Sequence, residues 1–145
     1  MNIAYKKILV PFDGSDQAKE AFEHAKVLAG IQKGHVTVLQ VLTPIAYYLT
    51  PYTLVPSSLL DGEKEADLQL KRELEEELNP ENAKNITVIV LRDTPKNGIV
   101  DFAKENDYDV IVMGATGKHG INKLLVGSTA SYVVNHAPCS VITVK

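Results

Sequence analysis

The sequence contains a single cysteine, Cys139, among its 145 residues. One thiol cannot form an internal disulfide or a cysteine zinc site, and its lone presence suits a reducing compartment such as the cytosol. No apolar run approaches the roughly 20 residues of a membrane span, and the apolar stretch before Asp13 is too short for the core of a signal peptide. These absences predict a cytoplasmic protein with no membrane partner.

An excess of positive charge is also missing. The chain has 15 Lys and Arg residues against 18 Asp and Glu residues, which gives a net charge of −3. General binding to nucleic-acid phosphates needs the opposite sign, so a nucleic-acid partner is disfavoured. Apolar residues make up 45% of the chain and charged residues 23%, which excludes a disordered or collagen-like chain. The length predicts one domain, residues 1–145, with one sizeable core.

Strand-like and helix-like segments alternate along the chain. Short runs rich in valine and isoleucine predict strands buried on both faces, and the segments between them have helical spacing. We predict a parallel α/β fold, a five-stranded sheet with helices on both faces in a Rossmann-like arrangement, with the last strand at an edge. The predicted strands are 7–10, 36–42, 86–91, 110–113 and 140–144, and the predicted helices are 18–29 (ended by Gly30), 61–78, a helix opened by Pro95, and 128–136.

Residues 43–58 interrupt this alternation with three prolines and three tyrosines. A segment of this length inside a small domain is usually a functional loop or a mobile one. Tyr47, Tyr48 and Tyr52 could close over a ligand or could cover the edge of the sheet, and the sequence does not separate these two interpretations.

The carboxyl ends of the strands are the places where the sequence predicts chemistry. In an open parallel sheet, ligands bind beyond these ends, at the point where the strand order reverses. The residues that follow the strands are therefore the candidates. Pro11, Asp13 and Ser15 follow the first strand, Val41 and Leu42 lie at the end of the second, and Met113 ends the fourth.

The segment after the fourth strand is rich in glycine. Gly114 lies at the strand end, where a missing side chain lets a ligand approach the backbone, and Gly117 lies where a tight turn can direct N–H groups at an anion. Further on, Gly127 and Ser128 open the last helix, whose first N–H groups and dipole also attract anions. Two anion-binding devices at the two ends of one loop predict a site for a chain of phosphates.

Two better-known phosphate motifs do not fit this spacing. A P-loop needs a glycine, four further residues and then a Gly-Lys pair followed by serine or threonine, but this chain has Val112 in place of the first glycine and His119 after Lys118. A dinucleotide-binding fingerprint needs three glycines after the first strand, and only Gly14 is present there. An ordinary glycine-rich connection is the remaining structural interpretation.

The spacing Gly-x2-Gly-x9-Gly-Ser, from Gly114 to Ser128, matches the ATP-binding signature of the universal stress protein family. The opening residues 7–15 resemble that family's first strand and acidic turn, residues 109–114 its fourth strand, and residues 137–141 the run into its last strand. The resemblance covers essentially the whole chain and is weakest over residues 43–58.

This resemblance implies an adenine nucleotide alpha hydrolase-like fold that binds ATP or another adenine nucleotide, with or without Mg²⁺. Asp13 would accept hydrogen bonds from the ribose or nearby adenosine groups, a role that suits a carboxylate. Pro11 and Val41 would border the adenine, with Met113 nearby. A homodimer through the C-terminal strand and a protein partner of unknown identity are also implied. The other residues of the implied ATP site are Ser15, Gly114, Thr116, Gly117, Gly127, Ser128 and Thr129, of which the glycines and Ser128 would hold the phosphates and Thr129 would add a donor.

Three functions remain open at this point. A regulatory ATP-binding dimer of the stress response is favoured over a slow ATPase or phosphoryl-transfer enzyme. Lys118 and Lys123 could stabilise charge in such an enzyme, but the chain has no acidic residue after Gly114 to hold Mg²⁺. A receiver-like signalling domain is the third function, although Phe12 replaces one of the paired acids it needs and the glycine loop would have no role.

Overall fold

The computed structural model describes residues 3–117 and 125–145. In that part of the chain, five strands form one parallel sheet: β1 (Lys7–Pro11), β2 (His35–Leu42), β3 (Ile86–Arg92), β4 (Val110–Gly114) and β5 (Ser140–Val144). The strands lie in the order β3-β2-β1-β4-β5, so the order reverses between β1 and β4. The predicted α/β fold is confirmed, and so is the position of β5 at an edge of the sheet.

Helices cover both faces of this sheet. They are α1 (Asp16–Gln32), α2 (Ser57–Leu78), α3 (Pro95–Glu105) and α4 (Ser128–His136), with a 3₁₀ helix over Ile45–Tyr48. The first two helices pack on one face, and the last two pack on the other. Among the described residues, no helix combines the length and the apolar character that crossing a bilayer requires.

The central strand β1 explains why the apolar runs are continuous. Ile8 and Val10 belong to the cluster that packs against α1 and α2, whereas Leu9 belongs to the cluster that packs against α3 and α4. All three side chains are fully buried. Because both faces of a parallel sheet are covered, every position of such a strand must be apolar, and the alternation of a half-exposed strand is lost.

The end of α1 differs from the sequence-based prediction. The helix continues past Gly30 to Gln32, and Lys33, with φ 53°, forms its C-terminal cap and donates its N–H to Ala29. A side chain at Gly30 would meet nothing within 4 Å, so this glycine lies on an open face of the helix. The prediction that Gly30 ends the helix is therefore wrong. The neighbouring Gly34 is the constrained glycine, since a Cβ there would lie 2.7 Å from the carbonyl oxygen of Tyr5.

The helix α2 begins at Ser57, four residues before the predicted start, and Pro56 is its N-terminal cap. Arg92, the last residue of β3, connects this helix to the preceding segment: it donates to the carboxylate of Asp67 and to the carbonyl oxygen of Thr43 at 3.0 Å. The hydrogen bond with Asp67 raises the pKa of the Arg92 guanidinium. The start of the segment 43–56 is thus fixed to both α2 and β3.

Candidate functional site

A cleft of about 490 Å³ opens at the carboxyl edge of the sheet, beside β1 and β4. Small-molecule sites have volumes of about 300–1,000 Å³, and in α/β sheets they lie where the strand order reverses. All eleven residues predicted from the sequence line this one cleft. They are Pro11, Asp13, Ser15, Val41, Met113, Gly114, Thr116, Gly117, Gly127, Ser128 and Thr129.

Sequence reasoning missed several apolar residues of the same cleft. Leu39 lies two residues before Val41 on β2, and Pro95 and Ile99 come from the first turns of α3. Side chains two apart on a strand share a face, and a helix that follows a parallel strand begins at the carboxyl edge. These two signals could have identified Leu39 and Pro95. The other missed lining residues are Phe12, Ala18, Ala115 and Ala130.

The turn after β1 positions the one carboxylate among the described residues of the cleft. Gly14 has φ 83°, a left-handed conformation that favours glycine. This turn lets Asp13 Oδ1 accept the N–H of Ser15 at 2.9 Å. Ser15 is the N-terminal cap of α1, and its Oγ accepts the N–H of Ala18 at 3.1 Å. The hydroxyl of Ser15 therefore caps the helix, and Asp13 is the polar side chain that this turn presents at the cleft.

The glycine-rich turn after β4 is held by backbone hydrogen bonds from two sides. Ala115 donates its N–H to the carbonyl oxygen of Val144, the last residue of β5, at 2.8 Å. Its own carbonyl oxygen accepts the N–H of Gly127 at 2.7 Å. The second bond joins the turn directly to the residue before α4. The two anion-binding devices that the sequence predicted are thus adjacent in the structure.

Gly114 has a steric role that the sequence did not predict. A Cβ at this position would lie 3.0 Å from Cβ and 3.2 Å from the carbonyl carbon of Gln17, in the first turn of α1. The absent side chain therefore makes room for a helix, and the approach of a ligand to this backbone stays a prediction. The backbone of Gly114 nevertheless lines the cleft.

Gly117 accommodates the carboxylate of Asp13. A Cβ at Gly117 would lie 2.8 Å from Asp13 Oδ2, closer than real Cβ contacts come. This glycine is exposed, and its φ is not positive. The close approach of the carboxylate is therefore the steric reason for a glycine here. This contact joins the segment after β1 to the segment after β4 at the cleft.

The N-terminus of α4 completes the polar wall. Gly127 is the N-terminal cap and has no side chain with which to accept the first N–H groups of the helix. Its φ and ψ of −64° and 164° are extended, and Ser128 and Thr129 follow as the first helical residues. The first N–H groups of a helix and its dipole together attract anions. Ser128, which is exposed, can add its hydroxyl as a further donor.

Titratable groups are scarce in this cleft. Asp13 is the single ionisable side chain among the described lining residues. Within residues 3–117 and 125–145, no group of three or more His, Cys, Asp or Glu side chains could hold a metal ion. Lys118 and Lys123, which could stabilise charge in an enzyme, lie outside the described residues. The described part of the cleft is suited to binding through backbone N–H groups, hydroxyls and one carboxylate.

The three tyrosines of the segment 43–58 do not line the cleft in this structure. Tyr47 is 65% exposed, Tyr48 77% and Tyr52 97%. Their rings are therefore in solvent, and neither of the two roles left open by the sequence, a lid or a cover for the sheet edge, is seen.

The fold is that of a doubly wound α/β protein, with a cleft at the point where its strand order reverses. The family model described as "Universal stress protein family" matches residues 4–145. The chain belongs to the universal stress protein family. The receiver-like alternative is thereby excluded.

Relatives of known structure and known sequence agree with this assignment. A universal stress protein from Methanocaldococcus jannaschii is 35% identical over 149 residues, which covers 97% of this chain and 82% of the relative. The solved structure of the universal stress protein UspA from Lactobacillus plantarum is 35% identical, has a TM-score of 0.76, and is matched over 99% of this chain and 100% of its own.

Two more distant structures of universal stress proteins carry a nucleotide. One is a complex with cAMP, at 22% identity and a TM-score of 0.69, with 98% of each chain covered. The other, from Archaeoglobus fulgidus, is a complex with dAMP, at 24% identity and a TM-score of 0.64, with 97% of this chain and 98% of that chain covered. At these identities the similarity to this chain shows the fold alone.

Proposed function

We propose that this chain binds an adenine nucleotide, preferentially ATP, in the cleft beside β1 and β4, and acts as a regulatory module rather than as an enzyme. The observation that carries the proposal is the 2.7 Å hydrogen bond from Gly127 to Ala115, because it joins the glycine-rich turn to the start of α4. Backbone N–H groups from both elements can then face one polyanion. Adenine nucleotides in two distant members of the same fold support this ligand class.

The lining residues suggest how the nucleotide lies. In the proposed pose, the lining residues Pro11, Val41 and Met113 border the base, and Asp13 accepts hydrogen bonds from the ribose hydroxyls. A carboxylate is the natural acceptor for two hydroxyl donors. The phosphates then extend towards the polar end of the cleft, formed by Gly114, Thr116, Gly117, Gly127, Ser128 and Thr129.

In this proposal the nucleotide, and not a protein side chain, binds Mg²⁺. Asp13 is the one carboxylate among the described lining residues, and it is already assigned to the ribose. A magnesium ion would therefore be coordinated by the phosphates of the nucleotide and would keep most of its water ligands. A phosphoryl-transfer enzyme needs a carboxylate or hydroxyl on the metal and a group that positions the attacking atom. The described cleft supports a binding role better than a catalytic one.

Dimer formation through β5 is part of the same proposal. This strand is an edge of the sheet, and Ile142 on it is 38% exposed. An unpaired apolar edge favours pairing with a second copy about a twofold axis. We also propose a cytoplasmic location, which the single free thiol of Cys139 supports. Sedimentation of the wild type as a dimer and of Ile142→Lys as a monomer is the expected outcome, and a monomeric wild type would contradict it.

The nucleotide proposal is tested by isothermal titration with ATP, ADP, AMP and adenosine. Affinity should rise with the number of phosphates, because each phosphate adds contacts to the backbone N–H groups. The variant Gly127→Val should lose ATP binding, because its side chain would occupy the proposed phosphate space. Even its Cβ would lie 3.3 Å from the carbonyl oxygen of Ala115, which must give by a few tenths of an ångström. Gly62→Val is the matched control, because a side chain at Gly62 meets nothing within 4 Å.

Two results would defeat the proposal. Wild-type protein that binds none of the four ligands has no nucleotide site, and Gly127→Val that binds ATP normally shows that the turn is not the phosphate cradle. A single-turnover assay with Mg²⁺ separates the two kinds of function. Product formation at about 1 s⁻¹ or faster, as in kinases, would make the protein an enzyme.

A further inference from the structure

Gln17 connects α1 to the middle of the glycine-rich turn. Its Oε1 accepts the N–H of Thr116 at 2.8 Å and the Oγ1–H of Thr116 at 2.5 Å. The two residues are 99 positions apart in the sequence. An amide oxygen has two lone pairs, and here both are used on one residue of the turn.

Thr116 is a buried residue, only 8% exposed. A buried N–H or O–H that loses its partner costs free energy, so both donors of Thr116 require the acceptor that Gln17 supplies. The orientation of the peptide before Thr116 is thereby fixed. The N–H of Gly117, the next residue, is directed from this fixed point.

The missing side chain of Gly114 makes the Gln17 contact possible. A Cβ on Gly114 would be 3.0 Å from the Cβ of Gln17, so any larger residue would push the first turn of α1 away from the end of β4. Both residues serve the same contact. The glycine at the strand end allows the helix to approach, and the helix then provides the acceptor that orients the turn.

We infer that Gln17 is a positioning residue for phosphate binding: it sets the direction of the Gly117 N–H, the next one along the turn 114–117, and it does so without carrying a charge. This inference rests on the proposed nucleotide site. A glutamate at position 17 could accept the same two hydrogen bonds but would place a negative charge beside the phosphates. The neutral amide combines an acceptor for the turn with no repulsion of the ligand.

The test compares Gln17→Leu and Gln17→Glu with wild type by isothermal titration of ATP, ADP and adenosine. Gln17→Leu should weaken ATP binding about tenfold, which equals 1.4 kcal/mol, and should leave adenosine within about twofold of wild type. Gln17→Glu should weaken the binding of each ligand in proportion to the number of its phosphates. Amide hydrogen exchange without ligand should show that Thr116 loses protection in Gln17→Leu and keeps it in Gln17→Glu.

Two further variants keep the test decisive. Gln69→Leu is the matched control, because Gln69 lies on α2 and its side chain bonds to two exposed neighbours on the same helix, Glu73 and Arg72. Thr116→Val removes the hydroxyl that donates to Gln17 and leaves the backbone hydrogen bond in place. It should therefore weaken ATP binding about threefold. It replaces Gln17→Leu as the decisive variant if the latter does not fold.

Failure of the inference differs from failure of the proposed function. Gln17→Leu that binds ATP as wild type does, or that loses ATP and adenosine equally, overturns the positioning role and leaves the nucleotide site intact. Wild type that binds none of the three ligands overturns the site, and the positioning role with it.

Discussion

The substitution Gly117→Ala tests the link between the glycine-rich turn and the carboxylate of Asp13. The backbone at Gly117 has no positive φ, so alanine fits the local conformation. Its Cβ, however, would lie 2.8 Å from Asp13 Oδ2. Ordinary van der Waals contact begins at 3.4 Å, so the carboxylate must move by about 0.6 Å. The perturbation is therefore steric, and it acts on one side chain.

The expected magnitude follows from what that shift disturbs. Asp13 is an exposed residue, so the free energy of unfolding should change by no more than about 0.5 kcal/mol. A charge-assisted hydrogen bond contributes about 1.5–3 kcal/mol, and a displacement of this size weakens it substantially. We expect affinity to fall about tenfold, equivalent to 1.4 kcal/mol.

The assay is isothermal titration of ATP and of adenosine against Gly117→Ala, with Gly62→Ala as the control. The affinity for both ligands should fall to a similar degree, because both contain the ribose that Asp13 is proposed to bind. This pattern differs from that expected for Gln17→Leu, which spares adenosine. Affinities within about twofold of wild type, below 0.5 kcal/mol, would refute the reasoning. A loss confined to ATP would show that the ribose is bound elsewhere.

Three further predictions concern the fold. Gly30→Ala and Gly62→Ala should each raise the free energy of unfolding by about 0.5–1 kcal/mol in urea titrations, because both glycines lie in helices with open space around them; a loss would show that the two positions are constrained. Phe22→Ala should cost about 3–5 kcal/mol in the same assay, since Phe22 is 2% exposed in the core, and a cost below 1 kcal/mol would contradict its burial. Burial, and then the charge of Asp109, raises the pKa of the Cys139 thiol above its ordinary 9.0. Alkylation of Cys139 by iodoacetamide at pH 8 should therefore be slower than alkylation of glutathione, and the free energy of unfolding should fall as the pH rises above 9. Alkylation as fast as that of glutathione would contradict this prediction.

The strands were the most predictable part of this fold. Ile8, Leu9 and Val10 are apolar on consecutive positions because both faces of the sheet are covered, and this pattern is visible in sequence. The end of α1 was not predictable in the same way. A glycine in a helix stops it only where the chain needs a left-handed residue, and here that conformation falls on Lys33. The open space around Gly30 depends on how the helix packs, which the local sequence does not reveal.

The candidate site was predictable to the extent that topology determines it. Asp13 and Gly117 follow strands whose carboxyl ends share one edge of the sheet, and they lie near one another because β1 and β4 are neighbours at the point where the strand order reverses. Gln17 was missed because a lone glutamine in the first turn of a helix has no sequence pattern that distinguishes it from a surface residue. Its role depends on a contact across 99 positions, which only the folded structure brings together.

The most direct test of the central claim is a two-dimensional amide NMR titration of the 15.9 kDa chain with ATP. The nucleotide site predicts that the N–H signals of Asp13, Thr116, Gly117, Ser128 and Thr129 shift in a saturable manner, while those of the outer face of α2, such as Gln69, stay in place. Signals that do not move, or that move only far from these residues, would contradict the account.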